Sequence, residues 1–101
     1  MTVLRDSRVV KNLALPESGI TVKIMDGLLA RDLEAIEMEK SDFRKMIAMV
    51  TRIIVEWDAE NDNGEKLPID INTVGLLGFK DIKFIQDSLS FLKDFLVPTP
   101  N

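Results

Sequence analysis

Residues 41–57 read SDFRKMIAMVTRIIVEW, and the apolar positions inside that stretch set the pattern of the chain. Phe43, Met46, Ile47, Met49, Val50, Ile53, Ile54 and Trp57 recur three or four residues apart, the spacing of one face of an α-helix. At about 100° per residue they cover an arc of roughly 160°, whereas a surface helix needs a stripe nearer ~100°. The pattern predicts a central helix over 41–57, either touched on two sides or keeping one shoulder for a partner. Arg44, Lys45, Arg52 and Glu56 fall opposite the stripe and should face water. Ser41 is placed to N-cap the helix through its hydroxyl, and Asp42 suits the positive end of the helix dipole.

Upstream, residues 8–15 (RVVKNLAL) and 20–25 (ITVKIM) are β-prone. Pro16, Glu17, Ser18 and Gly19 lie between them; proline presets φ and glycine tolerates positive φ, so a hairpin over 8–25 is expected. Val22 and Ile24 alternate with Thr21, Lys23 and Met25 and are read as its core face. A lone hairpin is marginal in water, so it must lie on apolar helices. A first helix is expected over 28–39, with Leu29, Leu33 and Ile36 as its stripe and Arg31, Glu34 and Glu37 exposed. Beyond Trp57, residues 58–66 (DAENDNGEK) read as a polar surface loop, and Leu67, Pro68 and Ile69 re-anchor the chain. Asp70 or Asn72 can cap a short helix over 73–77, which Gly78 ends. The last helix, 80–96, carries two apolar faces: Ile82, Ile85, Leu89, Leu92 and Leu96 on one, Phe84, Phe91 and Phe95 on the other. The expected fold is α+β, an N-terminal β-hairpin packed on a small bundle of three main helices plus one short helix. Residues 1–7 form a lead-in, 8–96 one domain and 97–101 a tail.

Composition narrows the chemistry. The chain has 101 residues, and a hydrophobic fraction of 46% is enough to fill a core, which argues against wholesale disorder. With a formal charge of −4 it is not expected to bind nucleic acid through the phosphate backbone. It contains neither Cys nor His, which removes thiol nucleophiles, thiolate and imidazole metal sites and any Ser-His arrangement. No apolar run approaches the ~18 residues of a membrane span, and the charged N-terminal stretch does not read as a secretory signal.

The acidic beat Asp58, Glu60, Asp62 invites comparison with a calcium loop, but Gly64 falls one place late and the twelfth position is Ile69 instead of Glu. The stretch therefore reads as a solvated acidic loop. The pairs Glu34/Glu37 and Asp81/Asp87 read as charged solvent faces, since no histidine is available to complete an acid–base site. The glycines at 19, 27, 64, 75 and 78 match no phosphate-binding loop, and the Gly75-x-x-Gly78 spacing lacks the basic flanks of an RNA-binding KH loop. No metal, cofactor or catalytic residue is expected. What remains is apolar: Met46, Met49 and Ile53 on a shoulder of the central helix, and Phe84, Phe91 and Phe95 on the second face of the last. Both sets exceed what one hairpin and a short helix can cover, which marks a partner or self-association surface. Methionine suits such a surface because it is unbranched and polarizable.

The order of parts also carries a resemblance. A strand pair with a P-x-x-G turn (16–19) precedes an R-D-L-E helix start (Arg31, Asp32, Leu33, Glu34). A long helix ending TRIIVEWD (51–58) and the stretch LPIDINTVGLLGFKDIKFIQDSLSFL (67–92) follow. Together these resemble the tail assembly chaperones of tailed bacteriophages and related prophages. The resemblance implies a small α+β domain without enzymatic activity. It implies a partner, the helical tape measure protein, which the chaperone keeps soluble until the tail tube polymerises around it. Such proteins are often also made as a longer frameshifted form that can reach the tail tube protein, and this chain has the length of the short form. The implied setting is the cytoplasm of the host bacterium, with no place in the mature virion. The alternative is a small structural tail or baseplate protein that stays in the particle.

Overall fold

A computed structural model describes residues 3–91. Seven elements follow one another: β1 (Val9–Ala14), β2 (Thr21–Asp26), α1 (Ala30–Glu37), α2 (Asp42–Ile53), β3 (Ile54–Trp57), α3 (Ile71–Val74) and α4 (Phe79–Asp87). The fold is α+β, with three antiparallel strands in the order β1-β2-β3.

The hairpin forms where the turn chemistry placed it. The Leu15 amide donates to the Ile20 carbonyl at 2.8 Å, and the Gly19 amide donates back to the Leu15 carbonyl at 3.0 Å. Gly19 closes this turn at φ +78°, a conformation that a side chain would strain. A second device holds the turn from below. The Asp81 carboxylate, fully buried at the start of α4, accepts the backbone N–H groups of Glu17 at 2.8 Å and Ser18 at 3.0 Å. Asp81 is thus a structural acceptor, not part of the solvent-facing pair that its spacing from Asp87 suggested.

The central helix begins as expected, with the Ser41 hydroxyl accepting the Arg44 N–H at 3.1 Å. It ends four residues early. After Ile53 the chain extends into β3, which pairs with the free side of β2 through Val22 opposite Trp57 and Ile24 opposite Ile54. The β-branched run Ile53, Ile54, Val55 has low helix propensity, and β2 offers an unfilled hydrogen-bonding edge. One extra residue bulges between these pairs, so Ile54 and Trp57 both reach the core while Val55 and Glu56 face outward. The sheet is therefore three-stranded and not a two-stranded hairpin. Trp57 is satisfied inside it, its indole N–H donating to the Leu67 carbonyl at 2.9 Å.

Three other boundaries move, and the first is the smallest: the helix expected over 28–39 covers Ala30–Glu37, where Asp32 caps it by accepting the Leu29 N–H. The short helix occupies Ile71–Val74 instead of 73–77, because Asp70 supplies the cap: its carboxylate accepts the Thr73 N–H at 2.9 Å. The last helix, expected to run unbroken through 80–96, stops at Asp87. The Ser88 hydroxyl turns back onto the Phe84 carbonyl at 2.8 Å, and the Leu89 amide closes a tight turn onto Gln86. The chain then restarts under a different anchor. Asp26, at the end of β2, accepts the N–H groups of Ser90 at 3.0 Å and of Phe91 at 3.4 Å. Lys11 of β1 bridges to Asp26 at 2.9 Å and donates to the Ser88 carbonyl at 2.7 Å. Leu92, Phe95, Leu96 and the expected tail over 97–101 lie outside the described residues.

One apolar cluster holds these elements together. The inner face of the sheet gives Val22, Ile24, Ile54 and Trp57; α2 gives Ile47, Val50 and Ile53; Val74, Ile82, Ile85 and Leu89 close it from the other side. Val22 and Ile24 are fully buried, as their alternation predicted. At about 25 cal/mol per Å² of apolar surface removed from water, this cluster is the main term that offsets the chain's lost conformational freedom.

Candidate functional site

An apolar groove of about 340 Å³ opens between α1, α2 and the segment after α4. Leu33 and Ile36 form its α1 wall, one turn apart, and Met46 and Met49 form its α2 wall at the same spacing. Leu28 and Phe91 complete the apolar lining, beside Gln86 of α4. Glu37, Asp42 and Lys45 share the lining, and Lys45 bridges to Glu37 at 3.5 Å across the α1–α2 corner. Leu33 remains 42% exposed here, and Met46, Met49 and Phe91 are half-buried.

The groove follows from how α1 and α2 meet. Of the α1 stripe, only Ile36 sinks fully, and α2 directs Ile47, Ala48 and Val50 to the core. Met46 and Met49 are left on the shoulder that α1 does not reach. Asp32 fixes the separation of the two helices. Its buried carboxylate accepts the Leu29 N–H at 2.9 Å, capping α1, and the Arg52 Nε at 2.9 Å from the far end of α2. Asp26 plays the matching part at the other end, because its hold on the Phe91 amide sets where that ring meets the groove. Burial works to raise the Asp26 carboxyl, but the Lys11 ammonium and the Ser90 and Phe91 donors outweigh it, and its pKa falls to about 2.

Three of the residues expected to bind a partner therefore meet in one place: Met46, Met49 and Phe91. Ile53 does not join them. It is fully buried between the sheet and α4, so its place is in the core and not on a binding surface. Phe84 is 38% exposed on α4 but lies away from the groove lining, and Phe95 is outside the described residues. Sequence reasoning missed Leu28, Leu33 and Ile36 as groove residues. Their helical spacing was visible, but it reads equally as core.

The polar clefts are of another kind. A shallow cleft of about 650 Å³ over the outer sheet face carries Lys23 and Lys66 beside Glu56, Asp58 and Glu60, charges of both signs that face solvent. The acidic stretch beside it folds as a small hairpin. The Leu67 amide donates to Ala59, the Asn61 amide to Glu65, and Gly64 turns the chain at φ +78°. Asp58 is already committed, accepting the Thr21 N–H at 2.8 Å. Among the described residues no three carboxylates converge as metal ligands. Gly78 of the Gly75-x-x-Gly78 pair lies beside the movable end of an exposed side chain, where a Cβ would stand 2.6 Å from the Glu17 carboxylate. Among the described residues no helix is long and apolar enough to cross a membrane.

Comparison of the chain with protein-family models, with curated proteins and with solved structures gave no match.

Proposed function

We propose that this protein is a binding protein without a catalytic step, which holds an amphipathic helix of a client chain in the groove between α1 and α2. The observation that carries this reading is the meeting of Met46, Met49 and Phe91 with Leu33 and Ile36 in one open apolar groove. Helix-in-groove recognition uses apolar anchors at i, i+3/i+4 and i+7, and flexible thioether walls accept varied anchors with modest, exchangeable affinity. That is what a chaperone needs if it must release its client. Following the resemblance of its sequence, we take the client to be the tape measure protein of a tailed phage. The chaperone would then act in the host cytoplasm and leave before the virion is complete.

The test is co-expression with the tape measure protein encoded in the same operon. The native chain should keep the client soluble and co-purify with it. Met46→Glu/Met49→Glu places two charges in the groove at half-exposed positions; it should leave melting within a few degrees of native while client solubility is lost. A client that stays equally soluble with this variant overturns the groove. Mass spectrometry of purified virions addresses the role itself. Detection of the chain there at stoichiometric level would make it a small structural tail or baseplate protein instead.

A further inference from the structure

The two edges of the sheet are built differently. The β3 edge is interrupted by its bulge and continues into the 58–66 hairpin, where the backbones of Glu60 and Lys66 pair antiparallel. Of the devices by which sheets discourage pairing, the β1 edge has, among the described residues, one inward-pointing charge and no bulge. Its register with β2 runs unbroken from Val9 opposite Asp26 to Ala14 opposite Thr21, and it contains no proline. Its one charge, Lys11, is drawn to the core face by Asp26. Val9 and Val10 remain 60% and 46% exposed.

Which backbone groups the edge offers follows from the ladder. The Leu15 amide bonds inward to Ile20, and on the far side of β2 the Thr21 carbonyl accepts the Asp58 N–H. Antiparallel strands alternate, so Leu13 and Lys11 also bond inward, and the N–H and C=O groups of Val10, Asn12 and Ala14 point out of the sheet.

We propose that this edge pairs antiparallel with β1 of a second copy of the chain, making one six-stranded sheet about a two-fold axis at Asn12. Outward-pointing residues must face one another, which leaves two central registers. One centres on Lys11 and sets two ammonium groups directly opposite, a destabilising arrangement. The other centres on Asn12. It sets Asn12 against Asn12 of the second copy, Val10 against Ala14 and Lys11 against Leu13, so no like charges meet and an exposed valine gains a cover. The self-complementary register is what selects a second copy as the occupant. The contact is small, below the ~1,200 Å² of a stable complex, so the dimer should be concentration-dependent. This inference is independent of the groove, which lies on the helical side.

Because the chain has no Cys, single introduced cysteines report the register cleanly. Sedimentation equilibrium of the native chain should show the mass doubling as concentration rises through roughly 1–200 µM, the range of a small interface. Asn12→Cys should cross-link to a covalent dimer on mild oxidation. Val10→Cys alone should not, since its two copies would stand about 13 Å apart, beyond disulfide reach. A mixture of Val10→Cys and Ala14→Cys chains should cross-link. Asn12→Lys, at an exposed strand position, should keep its melting temperature as a monomer and regain dimer in high salt. A native chain that stays monomeric through 200 µM overturns the proposal. So does a dimer unaffected by Asn12→Lys, or one that cross-links through Lys11→Cys and not Asn12→Cys.

Discussion

Among the described residues Asp81 and Asp32 are the two charged side chains that the fold buries, and both serve as acceptors for backbone N–H groups. Buried carboxylates are tolerated only when their lone pairs are filled, and here the donors come from the β1–β2 turn and from the start of α1. The Asp32 contact to Leu29 is a local cap three residues long, but the contacts that take the two carboxylates inside are not local. Asp81 meets residues 64 and 63 positions away, and Arg52 reaches Asp32 across 20. Asp81→Ala removes the buried charged acceptor of two turn amides, so we expect a loss of about 2–3 kcal/mol, measured by urea unfolding. A loss below about 0.5 kcal/mol would mean that the turn holds itself. The residue scale also separates two kinds of apolar side chain that a helical wheel merges. Ile53 and Met49 stand four apart on one stripe, yet one is sealed and the other half-open.

At the level of elements, the helix over 41–57 was legible in its start and its face but not in its end. The stripe positions from Phe43 to Trp57 all fit a period of 3.6. From Ile54 they equally fit a strand with one bulged residue. A vacant β2 edge decides between them, and the local pattern carries no sign of that edge. The last helix ends before its apolar period does for a related reason. Its apolar period runs on past Asp87, but Ser88 turns back on Phe84 and Asp26 captures the amides that follow. Ile53 lies at the joint between α2 and β3. Ile53→Ala should therefore cost about 2–5 kcal/mol in denaturant unfolding, whereas Met46→Ala at the groove should cost well under half as much. Equal costs would place Met46 in the core and remove the groove as a binding surface.

Over the whole molecule, Lys11 and Asp26 tie together three parts of the chain: β1, the end of β2 and the segment after α4. Asp26 titrates at about 2 in the fold, below its ordinary value near 3.8. A carboxylate depressed on folding adds stability that is fully present above the unfolded value. That stability is lost as pH falls through the folded one. Native chain and Asp26→Asn should thus differ by about 2 kcal/mol at neutral pH. The gap should narrow below about pH 4 and close near pH 2, followed by denaturant melts at stepped pH. A gap that is constant with pH would show that the ion pair does not carry it. Apolar surface is also a property of the whole. A shell of elements this thin buries one cluster well and leaves Leu33, Met38 and Phe43 partly uncovered near the α1–α2 corner.

The linear order of residues determined the α+β class, the hairpin turn, the buried face of β2, the Ser41 cap and the lack of imidazole and thiol chemistry. Each of these depends on side-chain type and on neighbours within a few positions. Tertiary structure alone decided that the chain leaves α2 for a third strand, that Asp81 and Asp32 go inside, and that Ile53 is core while Met46, Met49 and Phe91 share a groove. Those outcomes depend on hydrogen-bonding edges and packing partners tens of residues away, and a hydrophobic period records only that a face will be covered, not by what.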